Sequence, residues 1–271
     1  MTRAPGAKAS APQASPPPPV GDTDPGFSTL FGSRTVPVAE KASLVRDVFQ
    51  GVASRYDLMN DLMSGGVHRM WKSEMVDWLN PRPGIVLADI AGGTGDIAFR
   101  VLDRVRDAGA ITVIDASPAM LEVGRDRALD RGIVDAVRFV GGDAERLPLP
   151  DASQDACTNA FGLRNVTRLD NALADVCRVL RWGGRFVALE FGGPVAAGLD
   201  RAYDAYSQKV LPRLGGWVTG RGDAYQYLVD SIRNFPPRAD VVARMERAGL
   251  GRVRTRALAG GIATLYSAWR I

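Results

Sequence analysis

From residue 85 onward the chain alternates between two rhythms. Short aliphatic and β-branched runs at Ile85 to Ile90, Ala110 to Asp115, Val137 to Val140, Asp155 to Phe161 and Arg185 to Phe191 read as buried strands. Between them, Asp96 to Asp107, Pro118 to Arg131 and Leu169 to Leu180 read as helices, with Ser117 as an N-cap for the second. Strand and helix in turn predict an α/β fold, with a mostly parallel sheet and helices on both faces. The end of the chain departs from this rhythm. Arg238 to Ala248 reads as a helix closed by Gly249, and Val253 to Leu258 with Ile262 to Ile271 reads as an antiparallel hairpin around Gly260-Gly261.

Ahead of the first strand the pattern is helical. Leu44, Val45, Val48 and Phe49 are spaced for one helix face over Lys41 to Gln50. Tyr56 to Leu79 is rich in Met, Trp and Leu, breaks at Ser64-Gly65-Gly66, and ends at Asn80-Pro81-Arg82-Pro83-Gly84. Two or three helices are expected there, with Met59, Met63, Met70, Trp71 and Trp78 as core and lid packing. Residues 1–35 read as a disordered tail: Pro16 to Pro19 stand among small and polar residues that cannot bury enough surface to order themselves. Residues 36–83 then form an N-terminal helical cap, and 84–271 the main domain, with 195–237 as a lid or substrate insertion.

Composition narrows the chemistry. Of 271 residues 46% are hydrophobic, enough for one substantial core. The net charge of +4 is mild, and arginines are scattered, so no nucleic-acid partner is indicated. Cys157 and Cys177 lie in a predicted strand and helix, which suits a reducing compartment. His68 is the only histidine, so a zinc site or a Ser-His-Asp hydrolase is not expected, and His68 reads as a structural hydrogen-bonder. No apolar run reaches the ~20 residues of a membrane span.

The chemistry concentrates where Val86 to Ile90 runs into Ala91-Gly92-Gly93-Thr94-Gly95-Asp96. Gly93 to Ala98 satisfies G-x-G-x-x-A, which by itself fits an NAD-dependent oxidoreductase. Asp115, at the end of the second strand, is placed to accept both hydroxyls of a ribose. Asp89 before the turn and Asp143 after the third strand make the pocket acidic. Carboxylates disfavour a pyrophosphate and favour a cation. S-adenosylmethionine carries a sulfonium, an ammonium and no phosphate, so electrostatics favour it over NAD.

Longer motifs add a resemblance. Tyr56-Asp57-Leu58-Met59-Asn60 through His68-Arg69-Met70-Trp71, then Phe161-Gly162-Leu163-Arg164-Asn165-Val166, then Arg178 to Glu190 stand in the order and spacing of one family. Ala202 to Ser207 with Val210 to Arg213 is similar to its later region. From about Val36 onward the chain resembles the UbiE-type ubiquinone/menaquinone biosynthesis C-methyltransferases, which have a Rossmann-like class I methyltransferase fold. Arg181-Trp182 departs from the usual Lys-Pro, and Gly192 replaces a Ser. Ala160 stands where many relatives have a Ser that contacts the cofactor, so backbone would make that contact.

The resemblance implies S-adenosylmethionine as methyl donor, with no metal, and a ring carbon of a polyprenylated benzoquinol or naphthoquinol as acceptor. It implies that Gly93 and Thr94 cradle the methionine part, that Asp115 binds the ribose, that Asp143 and Ala144 line the adenine, and that Asp89 helps hold the ammonium. Arg164, expected at the strand-end mouth, would polarise a hydroxyl or water and stabilise phenolate, while Asn165 orients the ring. Its structural alternative is pairing with a nearby carboxylate. Tyr56 and Asn60 would touch substrate. Leu199, Tyr203, Tyr206, Val210 and Leu214 follow helical spacing beside Arg201, Lys209 and Arg213, which suits either a lid helix or contact with an anionic membrane surface. A cytoplasmic protein, peripheral on the inner face of the membrane, is the corresponding location. A quinone-biosynthesis complex and a homodimer stay open as partners, and so does a non-catalytic, cofactor-binding role in such a complex.

Overall fold

A computed structural model describes residues 28–51, 61, 64–192 and 222–271, with side chains from 226 onward in the last stretch. Seven strands form the main sheet. Five are parallel: β3 (Val86–Ile90), β4 (Ala110–Asp115), β5 (Val137–Gly141), β6 (Gln154–Ala160) and β7 (Leu180–Phe191). Two more, β8 (Leu250–Leu258) and β9 (Ala263–Arg270), are antiparallel, with β9 inserted beside β7. The order across the sheet is β5-β4-β3-β6-β7-β9-β8. The chain runs outward from β3 through β4 to β5, then returns to lay β6 against the other side of β3. That reversal opens a crevice at the carboxyl ends of β3 and β6, where open α/β sheets bind ligands.

Alternation along β3 explains the two cores. Leu87 faces one layer with α2 (His68–Leu79), α3 (Asp96–Val105) and α4 (Pro118–Asp130). Ala88 and Ile90 face the other, with α5 (Leu169–Val179) and α7 (Arg238–Arg247). A strand buried on both faces must be apolar throughout, and Asp89 is the exception. Ser117 caps α4 as expected, its hydroxyl accepting from the Met120 N–H at 3.4 Å. Helix α2 is fixed at its C-terminal end, where Arg185 donates to the carbonyls of Trp78 at 2.6 Å and Leu79 at 3.3 Å. Trp71 meets Phe191 edge-on, with ring centroids 6.0 Å apart. Within the helix, Met70 is exposed rather than part of the packing expected of it.

Three features depart from the sequence reading. The first is a hairpin, β1 (Ser28–Phe31) and β2 (Arg34–Pro37), that falls across the expected tail boundary at residue 35. It is held by α1 (Val38–Gln50) and by α6 (Gly222–Asn234), a helix that the sequence did not announce. Phe31 stacks on Tyr227 at 4.6 Å, and Asn234 donates to the Gly32 carbonyl at 2.5 Å. A strand of four residues is ordered here by a helix about 200 positions away, so no local pattern could reveal it. The other two concern strand length: β7 begins at Leu180 and β8 at Leu250, because each is paired along its edge.

Candidate active site

A cavity of about 430 Å³ occupies the crevice. It is lined by the turn after β3, the ends of β4, β5 and β6, one face of α1, and Lys72 from α2. Its floor is a strained junction. Ala91 and Phe161, the residues just beyond β3 and β6, both have left-handed backbone, with φ of 49° and 62°. Such values are uncommon without glycine and persist where surrounding bonds fix them. Asn159 supplies those bonds: its amide donates to the Ile90 carbonyl at 2.8 Å and accepts from the N–H groups of Gly162 at 3.2 Å and Leu163 at 3.1 Å. Asn159 was not singled out in the sequence. It reads there as one polar residue inside a strand.

The glycine turn is tied to the neighbouring strand end. Gly93, with φ of 55°, donates to Asp115 Oδ2 at 2.9 Å, while Asp115 Oδ1 accepts from the Ser117 N–H at 2.8 Å. Burial pushes the Asp115 carboxyl up, against the pull of the Ser117 and Gly93 N–H groups. Thr94 is buried, and its hydroxyl accepts from Arg127 at 2.9 Å. Asp143 Oδ1 accepts from the Glu145 N–H at 2.9 Å, which shapes the loop that carries Ala144 into the wall. Gly93, Thr94, Asp115, Asp143, Ala144 and Ala160 therefore all line one cavity.

Asp89 is fully buried in that wall. Its Oδ1 accepts from the Thr158 hydroxyl at 2.8 Å, while Oδ2 has no hydrogen-bond partner. Burial raises its pKa to about 7, although the Thr158 bond and Lys72 oppose this. A Cβ on Gly92 would lie 2.6 Å from Oδ2, so only glycine leaves the carboxylate this approach. A buried acceptor without a donor fits a ligand cation, and the amino group of S-adenosylmethionine is one. Asp96 behaves in the opposite way. Burial would raise its pKa, but Lys72, bonded at 2.9 Å, and Arg100 outweigh burial and hold it down to about 2.

The two residues expected to be catalytic part company. Asn165 lines the cavity, and its Oδ1 accepts from the Tyr227 hydroxyl at 3.0 Å. Arg164 does not. Its side chain is fully buried with that of Glu190 in an ion pair at 2.5 Å, beside the stacked rings of Phe161 and Phe191. Glu190 Oε2 also accepts from the Arg164 N–H at 3.2 Å. The expectation of an arginine at the mouth is therefore corrected, because a guanidinium this deep keeps the carboxylate that neutralises it. His68 bonds to the Ser64 hydroxyl at 2.9 Å, and burial lowers its pKa to about 4, in keeping with a structural role. Tyr56, Asn60, Met59, Met63 and the expected helix over 199–214 lie outside the described residues.

An open α/β sheet with a glycine turn and an acidic cavity at its crevice is the architecture of a class I S-adenosylmethionine-dependent methyltransferase. The model of the ubiE/COQ5 methyltransferase family matches residues 37–270, and the chain belongs to that family. It is 49% identical over 248 residues to "Ubiquinone/menaquinone biosynthesis C-methyltransferase UbiE" of Brucella abortus (strain S19), covering 91% of this chain and 92% of the relative. Identity is 52% over 253 residues to the protein of that name in Rhodopseudomonas palustris (strain HaA2), covering 92% and 100%. A solved S-adenosylmethionine-dependent methyltransferase of Thermotoga maritima shares the fold, with a TM-score of 0.58 at 17% identity over 84% of this chain and 100% of that one. S-adenosylmethionine is thus the methyl donor, and an NAD-dependent oxidoreductase is not favoured. No described helix is long and apolar enough to cross a membrane.

Proposed function

We propose that this enzyme methylates a ring carbon of a polyprenylated quinol, a demethoxy-type benzoquinol, a demethylmenaquinol or both, in ubiquinone or menaquinone biosynthesis. The observation that carries the reading is continuity: one cavity runs from the acidic glycine turn to Asn165 and the face of α1 that carries Ala42, Val45, Arg46 and Phe49. The cofactor supplies an electrophilic methyl group on a sulfonium. The chain must then position an electron-rich ring carbon, and alignment alone lowers such barriers by several kcal/mol. Asp89 receives the cofactor's ammonium, Gly93 and Thr94 its methionine part, Asp115 its ribose, and Asp143 with Ala144 its adenine. Asn165 hydrogen-bonds the quinol hydroxyl and orients the ring. Arg164 is a positioning residue, which fixes the Leu163–Asn165 turn from behind through Glu190. Tyr56 and Asn60 complete the substrate side.

A prenylated acceptor resides in a membrane, so we place the enzyme on the inner face of the bilayer, docked through the basic, aromatic 199–214 segment. Flotation with anionic liposomes tests that placement, and failure to float removes it. For the reaction itself, the decisive experiment is mass spectrometry of quinones in cells lacking this protein. A demethyl benzoquinone, a demethyl naphthoquinone or both should accumulate and disappear on complementation. If neither accumulates, the substrate assignment fails.

A further inference from the structure

Lys72 is the buried cation in the described wall of the cavity, and the sequence reading gave it no role. Lysine is seldom buried unless something holds its charge. Here Asp96 does so in part, accepting from Nζ at 2.9 Å, but Asp96 also receives Arg100 Nε at 2.9 Å. An ammonium has three N–H donors, and this is the hydrogen bond that Lys72 makes within the described chain. Its position is rigid. Trp71 and Met75 on the same helix are buried in the core, Arg185 holds the helix end, and Arg100 bonds to the adjacent Ser73 hydroxyl at 2.7 Å. Lys72 lies close enough to Asp89 to act on its charge, and both line the cavity with Gly92 and Gly93.

The wall thus offers one carboxylate oxygen without a donor and one cation with donors to spare. An amino-acid head group carries the complementary pair. We propose that Lys72 binds the α-carboxylate of S-adenosylmethionine, so that Asp89 and Lys72 together recognise the zwitterionic end of the cofactor. This rests on the methyltransferase reading and adds a residue to it. Asp89 alone would accept any amine of the right length. Lys72 confines the site to an amino acid, and its bond to Asp96 positions Nζ at the wall.

The test compares two ligands by calorimetry: S-adenosylhomocysteine, and its decarboxylated analogue with a plain 3-aminopropyl thioether. Wild-type protein should bind S-adenosylhomocysteine about 10- to 100-fold more tightly, the span of a charge-assisted hydrogen bond. Lys72→Met should remove that preference by weakening S-adenosylhomocysteine alone, and Lys72→Arg should restore part of it. Equal losses for both ligands would mean that Lys72 acts through the fold, and would overturn the proposal. Equal affinities in the wild-type protein would overturn it as well, without any variant having to fold. Wild-type protein that binds neither ligand would overturn both this proposal and the methyltransferase reading.

Discussion

If Asp89 receives the cofactor's ammonium as proposed, cofactor binding is a proton-linked event. Burial raises the Asp89 carboxyl to about 7, and one of its oxygens has no partner. A ligand ammonium interacts with the ionised form, so binding must expel the proton that Asp89 holds below that pH. The apparent dissociation constant then rises with the protonated fraction of Asp89. Between pH 8 and pH 6, S-adenosylhomocysteine should bind about tenfold more weakly, a loss of roughly 1.4 kcal/mol. Its own amino group stays protonated over this range, so the ligand contributes no slope. At pH 7 binding should release about half a proton, which calorimetry in buffers of different ionisation enthalpy reads directly. Asp89→Asn should bind more weakly throughout and show no slope. A dissociation constant that is flat from pH 8 to pH 6, or a slope that survives in Asp89→Asn, would refute the assignment.

The same carboxyl affects the empty protein. Its folded pKa of about 7 lies above the 3.8 of an ordinary Asp, so the folded chain holds a proton that the unfolded chain loses. Stability from this group should therefore fall as pH rises from about 4 to 7, by up to about 4 kcal/mol, and Asp89→Asn should lack that part of the slope in urea titrations. Arg164→Ala leaves Glu190 in the core without its ion-pair partner and should cost about 3–5 kcal/mol in urea unfolding; a loss below about 1 kcal/mol would contradict the buried pair. Tyr227→Phe keeps the stack on Phe31 but removes the donor to Asn165, and should lower kcat about 3- to 10-fold with KM for the cofactor unchanged. A change confined to KM for the cofactor would argue against Tyr227 as a positioning residue for the acceptor side.

That the glycine turn and its acids share one cavity wall was legible because their signals are local. Strand β3, the glycine turn and the acids at Asp89, Asp115 and Asp143 sit within runs whose spacing dictates where they meet. Ser117 capped its helix, and Cys157 and Cys177 fell in a strand and a helix, for the same reason. What stayed hidden depends on contacts between distant positions. Arg164 finds Glu190 across 26 residues, and the motif that carries the arginine says nothing of which way the guanidinium turns. Lys72 sits in a Met- and Trp-rich stretch where a lone lysine looks like part of a solvated face. The β1–β2 hairpin needs α6 to exist, and its own sequence borders a proline-rich segment.

The way the cavity is assembled has an evolutionary consequence. Every residue proposed to hold the donor, apart from Lys72, comes from the continuous stretch between β3 and the end of β6. The facing wall is contributed by α1, and Asn165 is braced by Tyr227 of α6; both helices lie outside that stretch and share a small apolar cluster with the β1–β2 hairpin. Mutations in that cluster can reshape the acceptor side while the donor grip keeps its geometry. New acceptor molecules are thus within reach of a lineage that never rebuilds its methyl-donor site, and the helices around Phe31 and Tyr227 are where such drift should accumulate.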